Sequence, residues 1–487
     1  METLTALDAT FLELEELDHG ALMSIGGTMV FEPRPDGSRP DVEGLRCALA
    51  ARLDELPRYL QRLSSARTGG LSWPHWEADP RFDVRNHVRH AALPQPGSET
   101  QLCDWTAEFF SHPLDRTRPL WEIVLIEGLE DGRWALAHKT HHCLVDGVGS
   151  VDVVGILLDE EPGRRPRAPV GANDSSTRGR SPRAPEAIVQ ATRAGARAAG
   201  AGVHAVTHPK DAFHRSRAAA ELVVRDELIG APRTSLNVPI GQARRFAVVR
   251  ASLAELKAIG HSLGGSLNDA ALAACAAGFR SLLLARGEEP PSRGLRAMVP
   301  VNIRSDSSDG IELGNRVSSL FVELPVAEDD GRARLQRIVD TTRRLKASGA
   351  ADGAAMIIDV GAIAPPAAHR AALARTEFST RLFNVTITNV PGSPRPLYAL
   401  GAPLREVYPV VPLAAEHAVG VAIFSYNGLV TFGINADRDS TPDLDVLATG
   451  IAQGIDQLRA LVPKSKRGRR RAANRTRRPA PNQSEAK

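Results

Sequence analysis

The sequence predicts a mixed chain of the α/β or α+β class, built as two folded blocks around a linker. Three observations carry this reading. Short apolar runs of strand character alternate with helix-period segments on both sides of the middle of the chain. Residues 162–185, PGRRPRAPVGANDSSTRGRSPRAP, combine Pro, Gly, Ser and Arg with almost nothing to bury. The composition, 43% hydrophobic and 24% charged, supplies ample material for buried cores and excludes a disordered chain or a collagen-like fibre. A length of 487 residues accommodates about two to four domains at ~150 residues each, and no internal repeat of about 20–50 residues is visible.

In chain order, Leu45 to Leu63 reads as an amphipathic helix with a break at Pro57. Trp121 to Leu129 and Trp134 to Thr140 read as two strands joined by a turn at Glu130-Asp131-Gly132. The following VGSVDVVGILLDE reads as a helix, and this closes a first half over residues 1–161. Residues 162–235 form the linker, a disordered Pro/Arg-rich part followed by an Ala-rich helix from Glu186 to about Ala205. Loop chemistry returns at Leu236 to Ile240. The second half, 236–463, opens with the strand FAVVRASL and continues with helical patterns over Leu253–Leu263 and Asn268–Leu284. Further strands are expected at Leu295–Val301, Ser318–Leu324, Asn384–Thr388, Ala418–Ser425 and Leu429–Ile434.

The net charge of +3 misleads, because the tail 464–487 holds ten Lys/Arg against one Glu and the remaining residues carry −6. A nucleic-acid-binding body therefore has no electrostatic footprint. The tail reads equally as a solvated end or as a polybasic contact to anionic lipid headgroups. Cys47, Cys103, Cys143 and Cys275 are scattered, with no CxxC pair, which argues for a reducing compartment rather than a disulfide framework or a structural zinc site. The N-terminus, METLTALDATFLELEELD, is acidic and lacks the basic and apolar regions of a signal peptide. No stretch reaches the ~18 uninterrupted apolar residues of a spanning helix. The expected location is the cytoplasm, with membrane contact limited to the periphery.

The sharpest chemical signal is His141-His142-Cys143-Leu144-Val145-Asp146-Gly147, directly after a strand. Adjacent side chains on extended backbone point to opposite faces, so one imidazole can enter the core while the other meets a cavity. Asp146 can turn back to fix the loop or meet a buried Arg, Arg304 or Arg316 being equal candidates, and Gly147 leaves open space. An imidazole titrating near neutrality suits proton abstraction from a hydroxyl. An arbitrary His pair is usually a core feature beside a turn; the full spacing and the strand context reverse that preference. A metal site is the weaker reading, since neighbouring histidines on a strand diverge and HExxH is absent.

HHxxxDG is the signature of the CoA-dependent acyltransferase superfamily. With it stand Pro119-Leu120-Trp121, Asn268-Asp269 after Gly264-Gly265, Pro300-Val301-Asn302-Ile303-Arg304, Gly314-Asn315-Arg316-Val317-Ser318, and Leu7-Asp8-Ala9-Thr10-Phe11-Leu12-Glu13-Leu14-Glu15. In this combination, over about residues 4–460, the chain resembles the bacterial bifunctional wax ester synthase/diacylglycerol acyltransferase family. The resemblance implies two chloramphenicol acetyltransferase-like halves with a tunnel between them. It also implies transfer of a fatty acyl group from acyl-CoA, a co-substrate, to diacylglycerol or a long-chain alcohol at a membrane or lipid-droplet surface, with no further cofactor and no metal. His142 would be the general base, His141 and Asp146 would hold the loop, and Gly147 would keep the channel open. Glu15, Trp121 and Asn268 match positions near the family's site; Glu15 and Trp121 are expected at the substrate and Asn268 as an oxyanion donor. The chain departs from the family at Leu22-Met23-Ser24-Ile25-Gly26-Gly27, where Pro-Met-His-Val-Gly-Gly is usual, and in its basic tail.

Two other chemistries share parts of this pattern. A condensation-type enzyme would use the same His142 but accept from a carrier protein. Gly260-His261-Ser262-Leu263-Gly264 matches the GxSxG elbow of lipases, with His369 and His417 downstream. That elbow needs a strand before the Ser, whereas AELKAIG reads as a helix stopped by Gly264-Gly265. Trp73, Trp76, Trp105 and Trp134 read as core residues or as the lining of an acyl tunnel.

Overall fold

The computed structural model describes residues 3–64, 73–144, 155–162, 230–302, 317–347 and 382–462. The first half contains α1 (Ala6–Leu17), β1 (Ser24–Phe31), α2 (Val42–Ala50), β2 (Gln61–Leu63), β3 (Trp76–Ala78), β4 (Val88–Ala92), α3 (Glu99–Phe110), β5 (Trp121–Glu127), β6 (Trp134–His141) and β7 (Leu158–Asp159). The second contains β8 (Arg244–Ser252), α4 (Leu253–Ser262), α5 (Leu267–Ala285), β9 (Leu295–Asn302), β10 (Val317–Leu324), α6 (Gly331–Ala347), β11 (Val385–Pro391), β12 (Tyr398–Ala399), β13 (Ala402–Val410), β14 (Val419–Tyr426), β15 (Leu429–Asp437) and α7 (Leu444–Ala460).

Two mixed sheets organise these elements, in the orders β4-β5-β6-β1-β13-β12-β7 and β10-β9-β11-β14-β15-β8. Strands β5 and β6 read as continuous apolar runs because both of their faces are covered. Ile123, Leu125, Trp134 and Leu136 pack on one side with Leu45, Leu49 and Trp76. Val124, Ile126, Ala135 and Ala137 pack on the other with Leu102, Ala107 and Phe110 of α3. Lys139, on that second face, is 1% exposed. Its ammonium donates to the carbonyls of Phe109 and His112, 2.9 and 2.8 Å away, and so closes the C-terminal end of α3. The second half has its own core, in which α5, α6 and α7 cover β8, β9, β10, β14 and β15.

The sequence partition and the sheet partition differ. β12 and β13, which lie in the second half by sequence, pair with β7 and β1 and thereby complete the first sheet. Two helix expectations also give way. The run from Leu45 ends as a helix at Ala50 and continues as short 3₁₀ turns into β2. Leu56, forced off the helical region by Pro57, lies at φ −127°, ψ 66°. In VGSVDVVGILLDE the described residues form a 3₁₀ turn, Gly155–Leu157, and the edge strand β7 rather than an α-helix. The Pro/Arg-rich segment, the Ala-rich helix and the basic tail lie outside the described residues, apart from the linker's first residue, 162, and its last ones, 230–235.

Candidate active site

The site is built at the end of β6. His141 is the last residue of that strand, opposite Ser24 of β1, and its N–H donates to the Leu120 carbonyl at 2.9 Å. A 3₁₀ turn, His142–Leu144, follows at once. His141 Nε2 donates to Glu15 Oε2 at 2.9 Å, and its Nδ1 accepts the Cys143 N–H at 3.2 Å. These two bonds define one tautomer, with the proton on Nε2. They also bend the backbone so that His142 leaves the strand line.

Glu15 reaches His141 from α1, whose N-terminus is capped by Thr5 accepting the Asp8 N–H. Burial pushes the Glu15 carboxyl up. The hydrogen bond from His141, the Arg116 guanidinium at 3.8 Å and the Met23 N–H outweigh it, and the group titrates below the usual range. Arg116 is itself held by Glu16 at 2.8 Å and by the Leu12 carbonyl.

His142 is placed differently. Its N–H donates to the Met23 carbonyl at 2.8 Å, and its ring stacks on Phe11 with centroids 3.9 Å apart. Nδ1 is buried, and among the described residues the only hydrogen-bonding group that acts on the ring is the residue's own backbone. Burial against this apolar surround lowers the ring's pKa to about 4. The imidazole is therefore neutral across the physiological range. Phe11 stands four residues before Glu15, so one face of α1 serves both histidines. That spacing is a signal the sequence carried, legible only once α1 is read as a helix.

The other expected site residues fall into three groups. Trp121 is fully buried, donates from Nε1 to the Tyr59 carbonyl at 2.8 Å and stacks on His87. Paired with Thr140 in the sheet, it supports the strand that delivers the histidines; both it and Glu15 are buried. Asn268 opens α5 behind the Ser266 cap, and its Oδ1 accepts from Asn389 Nδ2 of β11 at 3.1 Å. Its own amide N–H₂ is the side chain's donor. The neighbouring Asp269 is structural: it closes the capping box with Ser266 and accepts from Thr342 at 2.7 Å. Asp146, Gly147, Arg304, Arg316 and His369 lie outside the described residues.

The lipase-like motif has no elbow. Ser262 is the last residue of α4, and its hydroxyl donates back to the Ile259 carbonyl at 2.6 Å. His417 is buried between the Ala415 and Phe383 carbonyls.

Residues 4–271 match the wax ester synthase/diacylglycerol acyltransferase catalytic domain, and residues 313–459 the WS/DGAT C-terminal domain. The chain belongs to the wax ester synthase/diacylglycerol acyltransferase family. It is an acyltransferase. Among family members, it is 34% identical to the probable diacylglycerol O-acyltransferase tgs1 of Mycobacterium tuberculosis, over 97% of this chain and 99% of that one. The wax ester synthase/diacylglycerol acyltransferase of Marinobacter aquaeolei VT8 superposes with a TM-score of 0.66 at 28% identity, covering 95% of this chain and all of the other. The first condensation domain of the CDA synthetase shares the fold at 16% identity and a TM-score of 0.60, over 95% and 97% of the two chains.

Proposed function

We propose that this acyltransferase moves a long-chain acyl group from acyl-CoA to the hydroxyl of diacylglycerol or of a long-chain alcohol, with His142 as general base. The observation that carries the reading is the state of His142: a neutral imidazole at the end of β6, held by a turn that Glu15 and His141 brace. In this scheme the acceptor hydroxyl attacks the thioester carbonyl while His142 takes its proton. The tetrahedral intermediate then collapses, the C–S bond breaks, and CoA leaves as the thiol with the proton returned from His142. The Asn268 amide supplies a hydrogen bond to the oxyanion. No group is transferred to the enzyme, and no cofactor enters the reaction as written. A low pKa makes His142 a weak base but keeps it in the reactive form at pH 7. Both lipid substrates partition into bilayers and droplets, so catalysis belongs at such a surface.

The test is thiol release from palmitoyl-CoA with diacylglycerol, with hexadecanol and with no acceptor. Acceptor-dependent release is expected, and the ratio of the two rates identifies the preferred acceptor. His142→Ala should lower turnover by roughly 10²–10⁴-fold in folded protein. Near-normal turnover in that variant removes the base assignment, and acceptor-independent release replaces transfer with hydrolysis.

A further inference from the structure

The turn between α1 and β1 is held from two directions. At Met23 it meets the site: the carbonyl accepts the His142 N–H and the N–H donates to Glu15. Three residues earlier it meets the second half. The Gly20 carbonyl accepts from the Arg244 guanidinium, which also donates to the Gly241 carbonyl at 2.5 Å and the Ala243 carbonyl at 3.3 Å. Asp437, the last residue of β15, stands 4.0 Å from the same guanidinium. The Arg244 side chain is 2% exposed, and its backbone N–H donates to Ser111 Oγ at 2.9 Å. Approach at this point is close: a Cβ on Gly20 would lie 2.2 Å from the Ile240 carbonyl oxygen. Between the two anchors, Ala21 and Met23 form an apolar cluster with Leu14, Phe11 and Ala415 of the second half. Phe11 is the ring on which His142 stacks.

We propose that Arg244 is a positioning residue for His142: it pins the Gly20–Met23 turn to the second half and so keeps the Nδ1 edge of the His142 imidazole buried and the ring fixed in place. A guanidinium that reaches three carbonyls of two chain segments is a brace, not a substrate contact. Releasing Gly20 frees the Met23 carbonyl to move, opens the apolar cluster and lets water reach the ring. Among the described residues, the titratable groups that act on the turn carrying His142 are His141, which acts on the ring itself, and Asp8, Glu15 and Arg116, which act on the neighbouring Cys143. Of these, His141 acts on the ring's charge, opposing protonation, but less than burial does. Hydration therefore moves the ring's titration upward.

The inference rests on the reading of His142 as base, so the experiment separates the two. Full-length protein labelled at histidine carbon is titrated by NMR, the His142 resonance being assigned by its absence in His142→Ala, and kcat and KM for palmitoyl-CoA are followed against pH. Arg244→Lys, which keeps the charge but loses the planar fork, is the main variant; Gly20→Ala wedges the same contact from the other side. Both should raise the His142 midpoint by about one unit towards 6.5. Both should carry the acid limb of kcat with it and lower kcat about tenfold, with KM for palmitoyl-CoA little changed. Two folded variants with an unmoved midpoint and an unmoved acid limb, whatever their residual activity, overturn the proposal and leave Arg244 a stability residue. Retained turnover in His142→Ala would instead remove the base assignment, while the NMR midpoints would still decide the role of Arg244.

Discussion

At the scale of single residues, the two adjacent histidines have opposite fates because they receive opposite partners. His141 is given a carboxylate and a backbone N–H; His142 is given an aromatic face and a carbonyl for its own N–H. A direct consequence is the pH profile. With His142 as the proposed base, a titration at about 4 rather than near 6.5 should keep kcat/KM flat through pH 5.5 and place the acid limb about two units below that of a solvated imidazole. Kinetics in a non-hydrolysing buffer series check this; an acid limb near 6.5 would contradict the buried placement. The same shift affects stability. The unfolded chain takes up the His142 proton as pH falls through ~6.5, but the folded chain does so only near 4. This residue's contribution is therefore present above the unfolded value and lost as pH falls through the folded one. At this scale the sequence was most legible where a motif carried its own spacing, as in His141-His142. It was least legible where partners come from far away: nothing near residue 142 announces Phe11, and nothing near Glu15 announces Arg116.

Among the elements, α5 and α7 show what an alanine- and glycine-rich pair is for. Both helices were built to approach closely. A Cβ on Gly454 would lie 2.6 Å from Ala277 Cβ, and one on Gly278 would lie 2.5 Å from Ile451 Cγ1. Gly454→Val should destabilise the fold by about 1–3 kcal/mol through overpacking, read as a lower urea midpoint with an unchanged slope. α5 is also the one described helix long and apolar enough to cross a membrane, yet 72% of that stretch is buried within the fold. Its apolarity serves the core of the second half. The strand and helix positions of that half were largely legible, from β8 through α5 and at β14 and β15, because each carries its period within a short window. α6 and α7 were not assigned from sequence, and the helix read through Leu63 stopped at Ala50. Apolar spacing continues past Ala50, but the residue before Pro57 cannot stay helical.

For the molecule as a whole, the seam between the halves is where the charges were spent. Arg250 of β8 bonds Glu406 of β13 at 2.6 Å, Glu99 of α3 at 2.5 Å and the Tyr408 hydroxyl at 2.9 Å, joining three elements of both halves. Arg250→Ala takes from Glu406, which is 4% exposed, its closest counter-charge and leaves it the Arg405 guanidinium at 3.7 Å. It should cost about 2–3 kcal/mol, discounted for the partly solvated guanidinium, and a denaturant midpoint measures it. The mixed α/β class was legible in strand and helix patterns that recur on both sides of the middle of the chain. The exchange of strands between the halves was not, because β12 and β13 carry no mark in their own residues of which sheet they join. That exchange sets the order in which a newborn chain can mature. β1 has β13 as its neighbour on one side, so until residue 410 has left the ribosome the first sheet keeps an open, sticky edge. A gene split inside 163–229 should therefore yield a first fragment that aggregates when made alone and becomes soluble when the second is made beside it. Solubility of the lone fragment would show that β1 tolerates its open edge. The two halves, though separable on paper, mature as one.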